Sequence, residues 1–324
     1  MKQLNWGIIG LGKMARIFAE DLVQVETAQL YAVASRTQNK ATEFANDFGA
    51  KKAFASYEEL MQDEKVDVVY IATPHVFHFE LAMQCLRAKK HVLCEKPMCM
   101  NLQQTQELIT EAKAQNRFLM EAIWTRFMPT TKKLLELLNE NRIGKLISVE
   151  ADFGFKPKMN VESRLFKKSL GGGSLLDIGI YPVFLSLLCL GKPSKITAMA
   201  RKTTTGVDYS CYMLFDYATE EKAILKSTFE NQTPCEAELF GTNGSIKLHS
   251  RFHQSEKLEI LDEHRNTVEI FELPYQGNGY IHEIEEVNFC IQKGKMESNL
   301  LSHQFSLDLV QILDDVKMQI GLSY

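Results

Sequence analysis

The first 122 residues alternate short apolar runs with helical patterns, and this alternation restricts the possible folds more than any other feature. The strand-like runs cover residues 5–10, 29–34, 52–54, 67–72, 91–94 and 117–121. The run 67–72 is almost continuously apolar, as is typical of a parallel strand buried on both faces. Strands separated by helices form right-handed βαβ units, so we predict an α/β fold with a doubly wound parallel sheet.

A glycine turn follows the first of these strands. Gly10, Gly12 and Ala15 give the spacing G-x-G-x-x-A, and a helix opens at Lys13 and Met14. The first glycine permits a tight turn, the second lets the backbone approach a pyrophosphate, and the small alanine keeps the helix close to the sheet. The helix N-terminus offers N–H groups to the anion, so Gly10, Gly12, Lys13 and Met14 are predicted to bind the cofactor. With a strand before it and a helix after it, this motif favours a dinucleotide-binding Rossmann domain over an ordinary βα turn.

The end of the second strand bears on the choice of cofactor. An NAD-binding domain usually carries Asp or Glu about 20 residues beyond the glycines, where it holds the ribose 2′-hydroxyl. This chain has Ser35, Arg36 and Thr37 there, with Lys40 in the next helix. A guanidinium and a hydroxyl suit a 2′-phosphate, so NADP is preferred and NAD is less favoured. A surface arginine at a strand end remains the alternative.

Lys96 stands at the end of the fifth strand, between Glu95 and Pro97. Pro97 cannot donate to a sheet ladder and pushes the preceding lysine into an extended conformation. Ligands of open α/β sheets bind at the carboxyl ends of strands, so Lys96 is a candidate active-site residue. Glu95 and Lys96 are also predicted to bind the cofactor. A solvated lysine on a turn is the alternative.

Four residues at the end of the fourth strand belong to the same edge. A histidine pair at this spacing can bind a metal, but it has no carboxylate partner here, so we predict that it lines the cofactor pocket and that there is no metal site. The predicted cofactor residues of this segment are Thr73, Pro74, His75 and His78.

From residue 145 the chain becomes rich in strands, which predicts a second domain. We place an NADP-binding domain at residues 1–122 and an α+β substrate and dimerisation domain at 123–324, whose last helix packs back on the first domain. Apolar and polar residues alternate loosely in the strands of this second domain, which predicts a large, open and mostly antiparallel sheet. An uncovered sheet face would serve as the surface of a homodimer.

The stretch 171–174 is predicted to be a flexible glycine loop that opens a helix near residue 175. Asp177 and Tyr181 lie four residues apart on this otherwise apolar helix, so both project from one face. A polar pair there suits a cleft. An N-terminal aspartate favoured by the helix dipole, with a tyrosine packed in the core, is the alternative.

Composition argues against several classes of protein. With 324 residues the chain suits about two domains of ~150 residues. Its net charge of −4 shows no basic excess, so we expect a small-molecule substrate rather than nucleic acid. Residues 1–6 do not resemble a signal peptide, and the longest apolar run, 178–190, is too short to cross a membrane. The seven cysteines show no paired spacing, which favours reduced thiols in a cytoplasmic protein.

Together these segments resemble the glucose–fructose oxidoreductase, inositol dehydrogenase and rhizopine catabolism (Gfo/Idh/MocA) family. Within that family they look like its dihydrodiol and D-xylose dehydrogenase subfamily. The stretches that carry the resemblance are 93–98, 118–127, 175–181 and 206–208.

The resemblance implies an NADP-dependent oxidoreductase that moves a hydride between nicotinamide C4 and a hydroxyl-bearing carbon of a trans-dihydrodiol or aldose. Tyr181 matches the subfamily's catalytic tyrosine, where most of the family has histidine. The Lys96 ammonium would lower the pKa of that phenol from its usual ~10. Asp177 would orient Lys96 or a second hydroxyl. The resemblance also favours a cis bond between Lys96 and Pro97.

The predicted substrate residues include aromatic side chains that would form walls for a ring or a sugar face. They are Trp124, Arg126, Phe127, Phe155, Asp177 and Tyr181.

Two other functions stay open. The same fold could act on inositol, another sugar or a biliverdin-like carbonyl compound. A protein of another class, a catalytically silent NAD(P)-sensing regulator, would need the nucleotide site without the acid/base pair. Lys96 and Tyr181 argue against it.

Overall fold

The computed structural model describes residues 3–324, which divide into two compact units. The first unit runs to Phe127 and includes Gln276–Leu307, and the second comprises Met128–Tyr275 and Asp308–Tyr324. The sequence placed the boundary after residue 122 and assigned everything beyond it to one domain, whereas 276–307 belongs to the first unit. Met1 and Lys2, part of the stretch from which no signal peptide was predicted, lie outside the described residues.

The first unit contains the predicted parallel sheet of six strands, in the order β3-β2-β1-β4-β5-β6. This is the order of a doubly wound nucleotide-binding fold, and its direction reverses between β1 and β4. The elements are β1 (Leu4–Ile9), α1 (Lys13–Leu22), β2 (Ala28–Ala34), α2 (Gln38–Phe48), β3 (Lys52–Phe54), α3 (Tyr57–Gln62), β4 (Val68–Ile71), α4 (His78–Arg87), β5 (His91–Glu95), α5 (Leu102–Gln115) and β6 (Leu119–Ala122).

The second unit is built on an eight-stranded sheet in the order β14-β13-β12-β11-β7-β10-β9-β8. Only β7 and β10 pair in parallel, so the predicted, mostly antiparallel sheet is confirmed. The elements that follow the first unit's strands are α6 (Pro129–Asn139), β7 (Leu146–Gly154), α7 (Ile180–Leu190), β8 (Lys195–Lys202), β9 (Asp208–Asp216), β10 (Lys222–Thr228), β11 (Ala237–Gly241), β12 (Gly244–Leu248), β13 (Lys257–Leu261), β14 (Thr267–Glu272), α8 (Ile281–Gln292) and α9 (His303–Gln319).

Buried polar groups explain why α8 belongs to the first unit. The carboxylate of Asp21, at the end of α1, is fully buried and accepts hydrogen bonds from the backbone N–H groups of Asn278 (2.8 Å) and Tyr280 (2.8 Å). The indole N–H of Trp6 donates to the side-chain oxygen of Asn288 at 3.0 Å. A buried carboxylate is stable only when donors satisfy it, so these contacts fix the turn before α8 and α8 itself.

One face of the second sheet is covered, and the other is open and carries an apolar patch on β8, β9 and β10. On the covered face the side chains of β9 and β10 are buried, whereas the alternate residues Tyr212, Leu214 and Ile224 are 41–52% exposed. Leu214 lies directly opposite Ile224, and Met199 of β8 lies opposite Tyr212. Because successive side chains point to opposite faces, these residues form one continuous apolar surface.

The helical stretch Lys168–Leu190 is long and apolar enough to cross a membrane by length and composition, unlike the shorter run considered from the sequence. Its most apolar window is 83% buried inside the structure. The core helix of a globular unit passes the same test, so this finding is weak evidence for a membrane span.

Candidate functional site

The glycine turn between β1 and α1 is closely packed on one side and open on the other. Gly10 has φ +88°, and a Cβ there would lie 2.7 Å from Cγ2 of Thr73 and 2.8 Å from the carbonyl of Ala72. A Cβ on Gly12 would meet only the Gly10 oxygen, at 4.0 Å. Gly10 is therefore required by sterics and positive φ, while Gly12 leaves room for a ligand to approach the backbone.

Two further features at this edge fit a dinucleotide. The hydroxyl of Thr73, beside Gly10, is buried without a hydrogen-bond partner in residues 3–324. No side chain in that range caps the N-terminus of α1, so its first N–H groups are available to an anion. Both features lie where β1 and β4 adjoin, at the point where the strand order reverses.

The residues after β2 present cations without a carboxylate. Ser35 is buried and its N–H donates to the carbonyl of Phe54 at 3.2 Å. Arg36, Thr37 and Lys40 are exposed. Arg36 lies close enough to Tyr57 for its charge to oppose the rise that burial causes in the pKa of that phenol.

The loop from Glu95 to Met98 is held by buried carboxyl groups. The Lys96–Pro97 peptide bond is cis. Oε1 of Glu95 accepts the hydroxyl of Tyr70 at 2.6 Å, and Oε2 accepts the N–H of Lys96 at 3.2 Å. The N–H of Met98 donates to Oε1 of Glu121 at 2.8 Å. The backbone on each side of Lys96 is therefore fixed by hydrogen bonds to buried carboxyl groups.

Both carboxyl groups have further support within the first unit. Tyr70 stacks on Phe18 with ring centroids 3.7 Å apart, and burial raises the pKa of Tyr70 well above its usual value, so the phenol remains a donor. The hydroxyl of Ser306 donates to Oε2 of Glu121 at 2.8 Å. Burial raises the pKa of Glu121 to about 7, and the hydrogen bonds from Met98 and Ser306 oppose that rise.

His78 occupies a different position from the one that the sequence suggested. Its ring is fully buried, with Nδ1 2.8 Å from the carbonyl oxygen of Pro97 and Nε2 2.8 Å from that of Thr73. Burial lowers the pKa of His78. The ring thus braces the two loops against each other instead of lining an open pocket. His75, predicted to line the pocket with it, is 9% exposed. Among residues 3–324 no group of three His, Cys, Asp or Glu could hold a metal ion.

The predicted substrate segment Trp124–Phe127 forms a 3₁₀ turn in the first unit. Trp124 stacks in parallel on Tyr280, with ring centroids 4.7 Å apart, and Tyr280 was absent from the predicted site. Arg126 donates from Nε to the carbonyl of Leu300 at 2.8 Å, and Phe127 is 1% exposed. The contacts of Arg126 and Phe127 within this unit are therefore those of core residues.

Asp177 and Tyr181 lie on a helix whose first turn is wider than an α-helix. Leu175–Gly179 is a π turn, and α7 follows it directly. Pro182 has no N–H to bond the carbonyl of Ile178, so a regular α-helical ladder cannot continue through this point. Such π turns are frequent at functional sites.

The glycines before this turn are packed closely, which corrects the prediction of a flexible loop. Gly173 has φ +120°, and a Cβ there would lie 2.1 Å from Oδ1 of Asp208. The fully buried Asp208 accepts the hydroxyl of Ser174 and the N–H of Leu175, each at 2.7 Å. Burial raises the pKa of Asp208. These contacts hold the N-terminus of the π turn in place.

The ring of Tyr181 lies in an aromatic wall that the sequence located only in part. Its centroid is 4.9 Å from that of His253 and 5.7 Å from that of Phe153, and these two rings stack at 4.4 Å. The sequence singled out Phe155, whose ring instead packs against Phe229 at 5.1 Å. Phe153 and Phe155 are two positions apart, and side chains at this spacing in a strand point to the same face. Strand periodicity therefore could not show which of the two lies beside Tyr181.

Asp177 is ion-paired within the second unit. Nη1 of Arg164 lies 2.7 Å from Oδ1 of Asp177, whose side chain is only 10% exposed. No sequence pattern pointed to Arg164, which lies on the irregular segment between β7 and α7. A guanidinium at this distance favours the ionised form of the carboxyl group.

Comparisons with known proteins agree with this geometry over the whole chain. Residues 4–123 match the model of the GFO/IDH/MocA oxidoreductase family, NAD-binding Rossmann fold, and residues 131–247 match its C-terminal domain. The trans-1,2-dihydrobenzene-1,2-diol dehydrogenase of Danio rerio is 36% identical, with 99% of this chain and 98% of that protein covered. The human enzyme of the same name is 35% identical, again with 99% of this chain and 98% of that protein covered.

A solved structure with the same fold is KijD10, a 3-ketoreductase from Actinomadura kijaniata, in complex with TDP-benzene and NADP. It is 26% identical with a TM-score of 0.87, and 98% of each chain is covered. Other structures of that enzyme contain a variant with lysine replaced by alanine and one with tyrosine replaced by phenylalanine. With both family models matched and full-length relatives above 30% identity, this chain belongs to the GFO/IDH/MocA family of NAD(P)-dependent oxidoreductases, as a dehydrogenase or reductase.

Proposed function

We propose that the chain is an NADP-dependent dehydrogenase that moves a hydride between nicotinamide C4 and a hydroxyl-bearing carbon of a trans-dihydrodiol or an aldose such as xylose. The observation that carries this proposal is the setting of Tyr181. Tyr181 is 8% exposed, and its ring lies in an aromatic wall four residues after an ion-paired carboxylate. The full-length relatives named as dihydrodiol dehydrogenases support the same reaction class.

Tyr181 is the acid/base group of this proposal. In oxidation its phenolate takes the proton of the substrate hydroxyl, and in reduction its phenol returns that proton to the substrate oxygen. A bound nicotinamide supplies the carbon that accepts or donates the hydride. Phe153 and His253 keep the phenol ring in one orientation, so the proton is transferred at a fixed oxygen atom.

Lys96 is the group that favours the phenolate. A free phenol titrates near ~10, which is too high for an efficient base at neutral pH, and a nearby ammonium lowers that value. The hydrogen bonds of Glu95 and Glu121 to the backbone around Lys96 support a fixed position for its side chain. Asp177 orients the ammonium or a second substrate hydroxyl.

The cofactor of the proposal is NADP. Arg36 and Lys40 would bind the 2′-phosphate, and the glycine turn with the N-terminus of α1 would bind the pyrophosphate. The exposure of both cations and the lack of a carboxylate among residues 35–40 support this assignment. The bound NADP of the related 3-ketoreductase supports it further.

In this proposal the chain binds a second copy of itself and is located in the cytoplasm. The apolar surface of Met199, Tyr212, Leu214 and Ile224 supports a homodimer, because a monomer rarely leaves such a continuous patch in water. Two copies could bury this surface through an isologous contact.

Replacing Tyr181 with Phe keeps the ring packing and removes only the hydroxyl. We expect Tyr181→Phe and Lys96→Ala each to lower kcat by at least about 100-fold, because each removes part of the acid/base system. Steady-state oxidation measures this, and NADPH fluorescence titration should show that the cofactor still binds. Tyr275→Phe, at a half-buried tyrosine outside the proposed site and dimer surface, is the matched control. Near-normal turnover in both site variants would exclude the mechanism.

Replacing Arg36 with Ala tests the cofactor. Hydrogen bonds between charged groups contribute about 1.5–3 kcal/mol, so the Kd for NADP should rise by at least about tenfold while that for NAD changes little. Fluorescence titration with both reduced cofactors measures the two constants. Arg87→Ala, an exposed arginine at the end of α4, should change neither. Equal weakening of both cofactors by Arg36→Ala would refute the assignment of Arg36 to the 2′-phosphate.

Ile224→Lys places a positive charge in the apolar patch of the open sheet face, beside Leu214. We expect the wild-type chain to have the mass of a dimer in light scattering coupled to size exclusion, and the variant to dissociate. Val23→Lys, at an exposed apolar position of the first unit, should remain dimeric. A monomeric wild type, or an Ile224→Lys variant that stays dimeric, would contradict the proposed interface.

A further inference from the structure

Arg164 lies on the segment between β7 and α7, which has no role in the proposed reaction as described above. Its guanidinium contacts Oδ1 of Asp177 at 2.7 Å. The arginine side chain is 52% exposed and that of the aspartate 10%. Exposed ion pairs contribute little, but a cation beside a largely buried carboxylate determines the charge and direction of that carboxylate more strongly.

We propose that Arg164 is a positioning residue of the site, which keeps the Asp177 carboxylate ionised and in one orientation. This inference rests on the proposed function, in which Asp177 orients Lys96 or a substrate hydroxyl. The terminal torsion of an aspartate side chain has only a shallow preference, so a carboxylate needs a directional partner to be held in place. A planar guanidinium supplies that direction as well as charge.

The backbone that carries Arg164 is itself fixed. The N–H of Gly173 donates to the carbonyl of Leu165 at 2.9 Å. A Cβ on Gly172 would lie 2.8 Å from the Leu165 oxygen and 3.0 Å from that of Arg164. Phe166 is fully buried and packs on Phe229. The glycine run therefore has a second use, because it lets the segment of Arg164 pack closely against the strand-to-helix connection.

The π turn does not depend on Arg164. Asp208 holds the N-terminus of the turn through Ser174 and Leu175. Two charged residues of the neighbouring strands, Asp152 of β7 and Lys226 of β10, do not face Asp177. Each lies next to strand residues that face the helix, so its own side chain points to the opposite face of the sheet. Loss of the Arg164 guanidinium should thus change the charge and orientation of Asp177 while the turn stays folded.

Kinetics of three variants test the proposal. We expect Arg164→Gln to lower kcat/KM at pH 7 by at least about tenfold and to move the acid limb of its pH profile to higher pH, because the carboxylate loses the cation that favours its charged form. Arg164→Lys restores the charge without the planar fork and should recover part of the loss. Lys167→Gln removes a neighbouring ion pair, with Glu162 at 2.6 Å, and should match the wild type.

A measurement without substrate separates this proposal from the proposed function. Carbon-13 NMR of the protein labelled at aspartate carboxyl groups follows the titration of Asp177, whose signal is assigned with Asp177→Asn. The midpoint should move to higher pH in Arg164→Gln and return towards the wild-type value in Arg164→Lys. An unchanged midpoint overturns the proposal even if the enzyme is active. If the midpoint shifts but the protein oxidises none of the candidate substrates, the result supports the positioning role of Arg164 and contradicts only the proposed reaction.

Discussion

The hydrogen bonds of Glu95 and Glu121 to the loop around Lys96 are the constraint on which the first unit's part of the site depends. A lysine side chain is long and flexible, so it can act on one group only if its backbone is fixed. Glu95 binds the N–H of Lys96, Glu121 binds the N–H of Met98, and His78 contacts the carbonyl of Pro97. These three side chains are buried, where polar groups are stable only when their partners are in place. The loop is thus preorganised by the core beneath it.

The second unit uses the same principle at the π turn. Asp208 is buried, binds Ser174 and Leu175, and lies so close to Gly173 that no side chain fits there. The wider turn carries Asp177 and, just beyond it, Tyr181. In both units, buried carboxyl groups that have no proposed catalytic role therefore fix the backbone of the residues that have one. This arrangement suits acid/base chemistry, because small displacements of the reacting groups reduce the rate strongly.

The periodicity of the chain predicted both sheets, and Pro97 after Lys96 correctly marked the end of a strand. Periodicity could not reveal contacts between distant segments. Asp21 binds the turn at Asn278 through groups that are 257 residues apart, so the return of α8 to the first unit has no local signal. Pro182 carried a signal for the irregular helix, because it lacks an N–H. The aromatic partners of Tyr181 come from β7 and from the turn before β13, and only the fold brings them together.

The proposed function requires that the chain oxidises a hydroxyl group with NADP. The most direct measurement incubates the purified protein with NADP and a panel of trans-dihydrodiols, aldoses and polyols, and follows the absorbance of reduced nicotinamide. Production of NADPH with a dihydrodiol or an aldose is the predicted result. Tight binding of NADP without oxidation of any compound in the panel would contradict the claim and would favour a regulator that senses the cofactor.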